Sequence, residues 1–166
     1  QDAQYPDRVR TFVAETVNGD AVVVDSMTGL TWQDAPTTTV EWDQAVTDCA
    51  TSTYGGYTDW RLPNYVEMAS LLRYSPGSPQ AYGDAFPAAG IGGGMYWTSS
   101  ERDASAYYAY MFVGVLQYQP KISTFNAKCV RGNAINLSTP ARFVTTGDTD
   151  ATKVVDYMAR YREITG

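Results

Sequence analysis

The ten residues Gly55-Gly56-Tyr57-Thr58-Asp59-Trp60-Arg61-Leu62-Pro63-Asn64 constrain this chain more than any other stretch. Paired glycines open backbone conformations that are closed to other residues. Trp60 and Leu62 then alternate with Asp59 and Arg61, the two-residue period of an extended segment with one apolar face. Pro63 fixes φ and removes a donor, and Asn64 with Glu67 has the spacing of a capping box, so a helix is expected at once. Tyr65, Met68, Ala69 and Leu72 trace its apolar side, and Tyr74-Ser75-Pro76-Gly77 should stop it. The segment reads as scaffold, with Trp60 and Leu62 facing a core while Asp59 and Arg61 hydrogen-bond neighbouring backbone.

Around this segment the pattern mixes helix and strand. Residues 12–17 and 21–25 flank Asn18-Gly19, a pair that suits the positive φ angles of a tight hairpin turn. Asp25-Ser26-Met27-Thr28-Gly29 is a second turn, and residues 30–33 a short strand. Thr38 and Glu41 also have capping-box spacing. Behind them Trp42, Ala45, Val46, Cys49 and Ala50 make one face of an amphipathic helix that ends before Gly55. Residues 75–94 are rich in Pro, Gly and Ala without a period, a loop of functional length. Gly92-Gly93-Gly94 lacks the Lys and Ser/Thr of a phosphate-binding loop. Strands are expected over 96–99, 107–113, 115–118 and 127–131. Residues 1–10 read as a lead-in and 132–166 as a linker and C-terminal extension. Within the extension, residues 149–165 favour a helix. The alternative is the opening hairpin of a repeat, because Phe143-Val144 and Val154-Val155-Asp156 echo Phe12-Val13 and Val23-Val24-Asp25.

The 166 residues suit one domain with an appended segment. Thirteen tyrosines and four tryptophans stand beside only 18% charged residues. Such rings suit both sheet packing and the stacking of sugars. A net charge of −6 argues against nucleic acid and against heavily sulfated polysaccharides. No apolar run reaches the ~20 residues of a membrane-spanning helix. No signal peptide is read in the sequence, and Gln1 is compatible with a mature N-terminus left by cleavage of a leader. Cys49 and Cys129 belong to no C-x-x-C pair, which argues against zinc. They read as one disulfide, hence an extracellular protein, with two buried free thiols as the alternative. The chain has no histidine and no residue cluster that would activate a serine, so no cofactor and no catalytic group are expected. Asp148 and Asp150 are a weak calcium candidate, with a solvated turn the favoured reading.

Five ordered pieces carry a family resemblance: the segment from Val23 to Trp32, the Trp-bearing helix ending at Cys49, the Gly55–Pro63 segment, Tyr96-Trp97-Thr98-Ser99-Ser100, and Cys129-Val130-Arg131. Over residues 11–131 the chain resembles the bacterial domain family typified by the C-terminal domain of the Legionella collagen-like adhesin. The resemblance implies an α+β, C-type-lectin-like fold related to the formylglycine-generating enzyme group, with two helices, a mixed or antiparallel sheet and long loops. It makes Trp32, Gly55, Gly56, Asp59, Trp60, Arg61, Pro63, Trp97 and Arg131 structural motif residues, with Trp32 and Trp97 packing on the helices. It also implies a secreted or surface location and an adhesive role. The E-P-N, Q-P-D and W-N-D triplets of calcium-dependent lectins are missing, so calcium-bridged sugar recognition is unsupported.

The expected function is therefore a non-enzymatic extracellular recognition module that binds a glycan or a protein. The candidate surface is residues 74–94 with Tyr82, the polar-aromatic run 101–110 with Tyr107, Tyr108 and Tyr110, and the turn 117–121 with Tyr118 and Lys121. The bland alternative has the tyrosines of 107–112 simply covering a sheet. Lys121, Lys128 and Arg131 offer a local basic spot, against which stands ordinary scattered surface charge. The runner-up function is a structural subunit or tip domain of a pilus, filament or trimeric assembly, pairing with its own copies through the C-terminal tail. An enzyme using both cysteines to hold copper ranks third.

Overall fold

The computed structural model describes residues 10–75, 78–81, 85–91 and 93–135. The chain divides into two units, Gln1–Ala134 and Ile135–Gly166, and all described residues but Ile135 belong to the first. Residues 1–9, Tyr82, Asp148, Asp150 and the expected tail helix or hairpin lie outside the described residues. The fold is α+β, with two helices, two main sheets and a small hairpin.

The first sheet grows from the Asn18-Gly19 turn. Asn18 and Gly19 have φ of 51° and 91°, the left-handed values a two-residue hairpin turn requires. β1 (Phe12–Val17) and β2 (Asp20–Asp25) therefore pair antiparallel from Val17↔Asp20 to Phe12↔Asp25. The next turn forms because the Asp25 carboxylate accepts hydrogen bonds from Met27 N–H (3.0 Å) and from the Thr28 hydroxyl (2.5 Å), with Gly29 at φ 70°. It returns the chain as β3 (Thr31–Gln33), and β11 (Val130–Arg131) pairs on β3 to give the order β1-β2-β3-β11.

The second sheet has the order β4-β10-β7-β8-β9. β7 (Met95–Arg102), β8 (Ser105–Tyr110) and β9 (Val115–Pro120) form an antiparallel meander. β10 (Phe125–Asn126) lies parallel to β7 and antiparallel to β4 (Thr39–Val40). α1 (Trp42–Ala50) lies against one face, where Trp42, Ala45 and Cys49 pack with Trp97 and Tyr108. α2 (Tyr65–Ser70) lies against the other, since Tyr65 meets Tyr107, which points away from Tyr108 by strand alternation.

Several elements differ from the sequence reading. Thr38 does not cap α1. Thr39 and Val40 are taken by β10, so the helix starts at Trp42 after Glu41, with no side-chain cap. Its first N–H is satisfied instead by Lys121 C=O, 3.0 Å away. Ala50 is exposed rather than on the buried face. The Asn64–Glu67 capping box forms as expected, but α2 ends at Ser70, and Leu72 opens β5 (Leu72–Ser75), which pairs with β6 (Ser78–Ala81). The strand expected over 107–113 stops at Tyr110, because Gly114 at φ 65° closes a turn onto Tyr110 C=O. The strand expected over 127–131 shrinks to the two residues of β11, and β10 just before it pairs in the other sheet.

The segment 85–91 sends three side chains into the core, Ala85, Phe86 and Ile91. Phe86 and Ile91 are buried, and the buried Asp34 carboxylate accepts from Ala88 and Ala89 N–H at 2.8 and 2.9 Å. Trp32 is buried and packs edge-on against Phe86, with ring centroids 6.4 Å apart. Trp97 does join α1, in a core with Trp42, Trp60, Leu62 and Tyr108.

That core contains the Cys49–Cys129 disulfide, which ties α1 to the residue just before β11 across 80 residues. Closing a loop of that length restricts the unfolded chain by about 4 kcal/mol in the chain-entropy account. Replacing both cysteines with serine should lower stability by about that amount. Urea unfolding with and without reductant tests this: the wild type should lose stability on reduction and the double variant should not respond.

Candidate functional site

The motif segment is a junction. Gly55 and Gly56 have φ of 63° and 77°, and a side chain on Gly56 would meet Asn18 Nδ2 at 2.6 Å. The turn docks on the first hairpin through Gly55 N–H to Asp20 Oδ2 (2.7 Å) and Asn18 Nδ2 to Gly55 C=O (2.9 Å). Trp60 and Leu62 enter the core, as their alternation requires, and Trp60 Nε1 donates to Tyr54 C=O at 2.9 Å.

The two charged residues between them bind side chains rather than only backbone. Arg61 grips the buried Glu67 carboxylate with both guanidinium nitrogens, at 2.7 and 2.6 Å. Arg61 also exchanges backbone hydrogen bonds with Val130, both 2.9 Å. Asp59 accepts from Arg131 Nε at 2.8 Å, and that hydrogen bond and charge hold its carboxyl below the usual range. The Arg131 guanidinium lies 3.7 Å from the Tyr57 ring centroid. Removing Arg61 leaves a buried carboxylate without its cation. Arg61→Ala should cost about 3 kcal/mol, whereas Glu67→Gln, which removes the buried charge as well, should cost less. Thermal unfolding of the two variants gives the order.

The three cations expected near one another do not make a basic spot. Lys121 binds Glu101 at 2.5 Å and lies 4.0 Å over the Trp42 ring. Arg131 is engaged by Asp59. Lys128 is buried, donating to Gln33 C=O (3.2 Å) and Gly90 C=O (3.4 Å) above the Phe86 ring. Desolvation lowers its pKa from 10.5 to about 8, while the Asp34 charge opposes that shift. A folded value below the unfolded one means that charged Lys128 opposes folding fully below pH 8, and less as pH rises toward 10.5. The shift corresponds to about 3 kcal/mol. Lys128→Met should therefore be more stable than the wild type at pH 7, and that advantage should shrink between pH 8 and 10.5 in urea titrations of both proteins.

The candidate tyrosines fall on opposite faces of the second sheet. Tyr108 is buried beneath α1, its ring against Trp97 and Phe125 and its hydroxyl donating to Gln117 Oε1 at 2.8 Å. Tyr110 is on that face too, half-buried and packed on the same core. Tyr107 and Tyr118 are register partners on the other face. There Tyr65, Tyr107 and Tyr118 form a row of edge-to-face rings with centroids 5.3 and 5.9 Å apart. The Arg102 guanidinium lies 4.5 Å from the Tyr118 centroid and closes the row. The sequence reading held Arg102 within its candidate run 101–110 but missed Tyr65 as a member of this surface. A helix start and a strand end share no periodicity, and only the sheet register joins them.

Among the described residues, no three His, Cys, Asp or Glu side chains gather to hold a metal ion. The two sulfurs bond each other, which removes the thiol pair that a copper site would need. No helix among the described residues is long and apolar enough to cross a membrane. The family model described as the Lcl C-terminal domain matches residues 21–131, from β2 to β11, and the chain belongs to that family. No curated protein matches the chain.

Proposed function

We propose that this Lcl C-terminal domain is a non-enzymatic recognition module of a bacterial surface or secreted protein. It acts outside the cell and binds a glycan or protein ligand on the α2 face of its second sheet. The family membership supports the adhesive role. The disulfide supports an oxidising, extracellular setting. The α+β architecture, with two helices, short strands and long irregular connections, is compatible with a C-type-lectin-like platform.

The observation that carries the reading is the row Tyr65-Tyr107-Tyr118 ending in Arg102. Tyrosine and arginine dominate binding hot spots because each offers flat contact area with a polar end. The row sits on a sheet held between two helices and a disulfide, so little ordering entropy is lost on binding. With Arg102 its one cation and a chain charge of −6, it fits neutral or weakly acidic ligands better than heavily sulfated ones.

Glycan arrays and host-cell adhesion with the purified chain test this. Tyr118→Ala and Arg102→Ala should each weaken binding by about tenfold or more, with an unchanged melting temperature. Failure to bind any glycan or cell surface would overturn the proposal, as would binding indifferent to both substitutions.

A further inference from the structure

β9 is the outer strand of the five-stranded sheet, and it is built to meet another strand. It is six residues long, Val115-Leu116-Gln117-Tyr118-Gln119-Pro120, and carries no charge. Natural proteins guard such edges with charge, brevity or bulges. The other edges of the two main sheets have those guards. β4 and β11 are two residues each, and β1 carries Glu15 in an exposed run. β9 has only Pro120, at its end.

A second observation lies in where the exposed apolar side chains are. Six large ones are exposed among the described residues. Four sit on β9 and its two flanking turns: Phe112 at 67%, Val113 at 38%, Tyr118 at 48% and Ile122 at 78%. Phe112 and Val113 form the tip before the strand, and Ile122 stands just beyond its other end. Single exposed hydrophobics need no explanation, but a line of them along an uncharged edge does.

We propose that β9 is a self-association surface whose partner is β9 of a second copy of this chain, paired antiparallel about a two-fold axis at Gln117. Two strands related by a two-fold perpendicular to their sheet keep their faces, so one residue must lie opposite itself. With Gln117 on the axis, Leu116 faces the partner's Tyr118, and the Phe112 tip comes to the partner's Ile122 turn. The two most exposed large hydrophobic side chains among the described residues thus cover each other, twice per dimer. The backbone agrees. Lys121 N–H donates to Ala104 C=O across β8, and alternation from there turns the backbone groups of Gln119, Gln117 and Val115 toward β8. Those of Leu116 and Tyr118 point to the open edge, where reciprocal hydrogen bonds between the copies would form. Each chain carries a net −6, and β9 itself adds no carboxylate to the repulsion between two copies. Tyr118 belongs to both this edge and the ligand row, whereas Phe112 and Ile122 lie outside the row, so substitutions there test this proposal apart from the ligand reading.

Sedimentation velocity of the full chain across a concentration series should show a monomer–dimer equilibrium. Phe112→Asp should raise the dissociation constant about tenfold or more, since it buries two carboxylates at the apolar contacts. Adding Ile122→Lys in the same chain should restore the dimer, because position 112 of each copy then meets a lysine of the other. Met27→Asp, another exposed apolar position away from this edge, should leave the equilibrium unchanged. A strictly monomeric wild type would overturn the proposal. A dimer indifferent to Phe112→Asp, or a loss that Ile122→Lys does not rescue, would do the same.

Discussion

The fold turns on one buried carboxylate. Glu67 accepts both nitrogens of Arg61 and also the N–H of Asn64, while its own N–H goes to the Asn64 side chain. Four short contacts therefore join the motif segment to the first turn of α2. Because Arg61 is also paired through its backbone to Val130, the same residue reaches the first sheet. Pro63 C=O accepts from Ser99 N–H at 2.7 Å, which brings in the second. The charge sits in low dielectric, so the pair is a source of specificity more than of net stability. It sets the angle at which α2 meets the sheet, and with it the position of Tyr65 at the end of the aromatic row.

Much of this was legible in the sequence, and the legible parts share a cause. The Asn18-Gly19 hairpin, the Asp25 turn and the Asn64–Glu67 cap are local devices whose partners lie within a few residues, so residue type and spacing suffice. Trp60 and Leu62 were placed by strand alternation alone. The misread positions involve partners far along the chain. Thr38 had the right neighbour for a cap, but β10, more than eighty residues later, took the backbone of Thr39 and Val40. Residues 85–91 have no period, so nothing local shows that Asp34 and Lys128 hold them inside. Lys128 was read as a surface charge, since a lysine reads as exposed until its burial is seen.

The candidate site was half legible for the same reason. Tyr107, Tyr108 and Tyr110 are close in sequence and look like one patch. In β8 they alternate, so Tyr108 and Tyr110 go to the α1 side and Tyr107 to the α2 side. One strand thus serves two purposes: its even positions fill the core and its odd positions face α2 and, beyond it, the outside. On β8 the rings are therefore mostly interior packing, and the proposed ligand row is the small remainder that ends at Arg102.

The bond between Cys49 and Cys129 has one more effect, on how the protein survives among hydrolases. Every peptide link from residue 50 to residue 128 lies inside the covalent ring it closes. A single cleavage there opens the ring without releasing a fragment. Both halves stay tethered at the core and can re-form their contacts as a two-chain molecule.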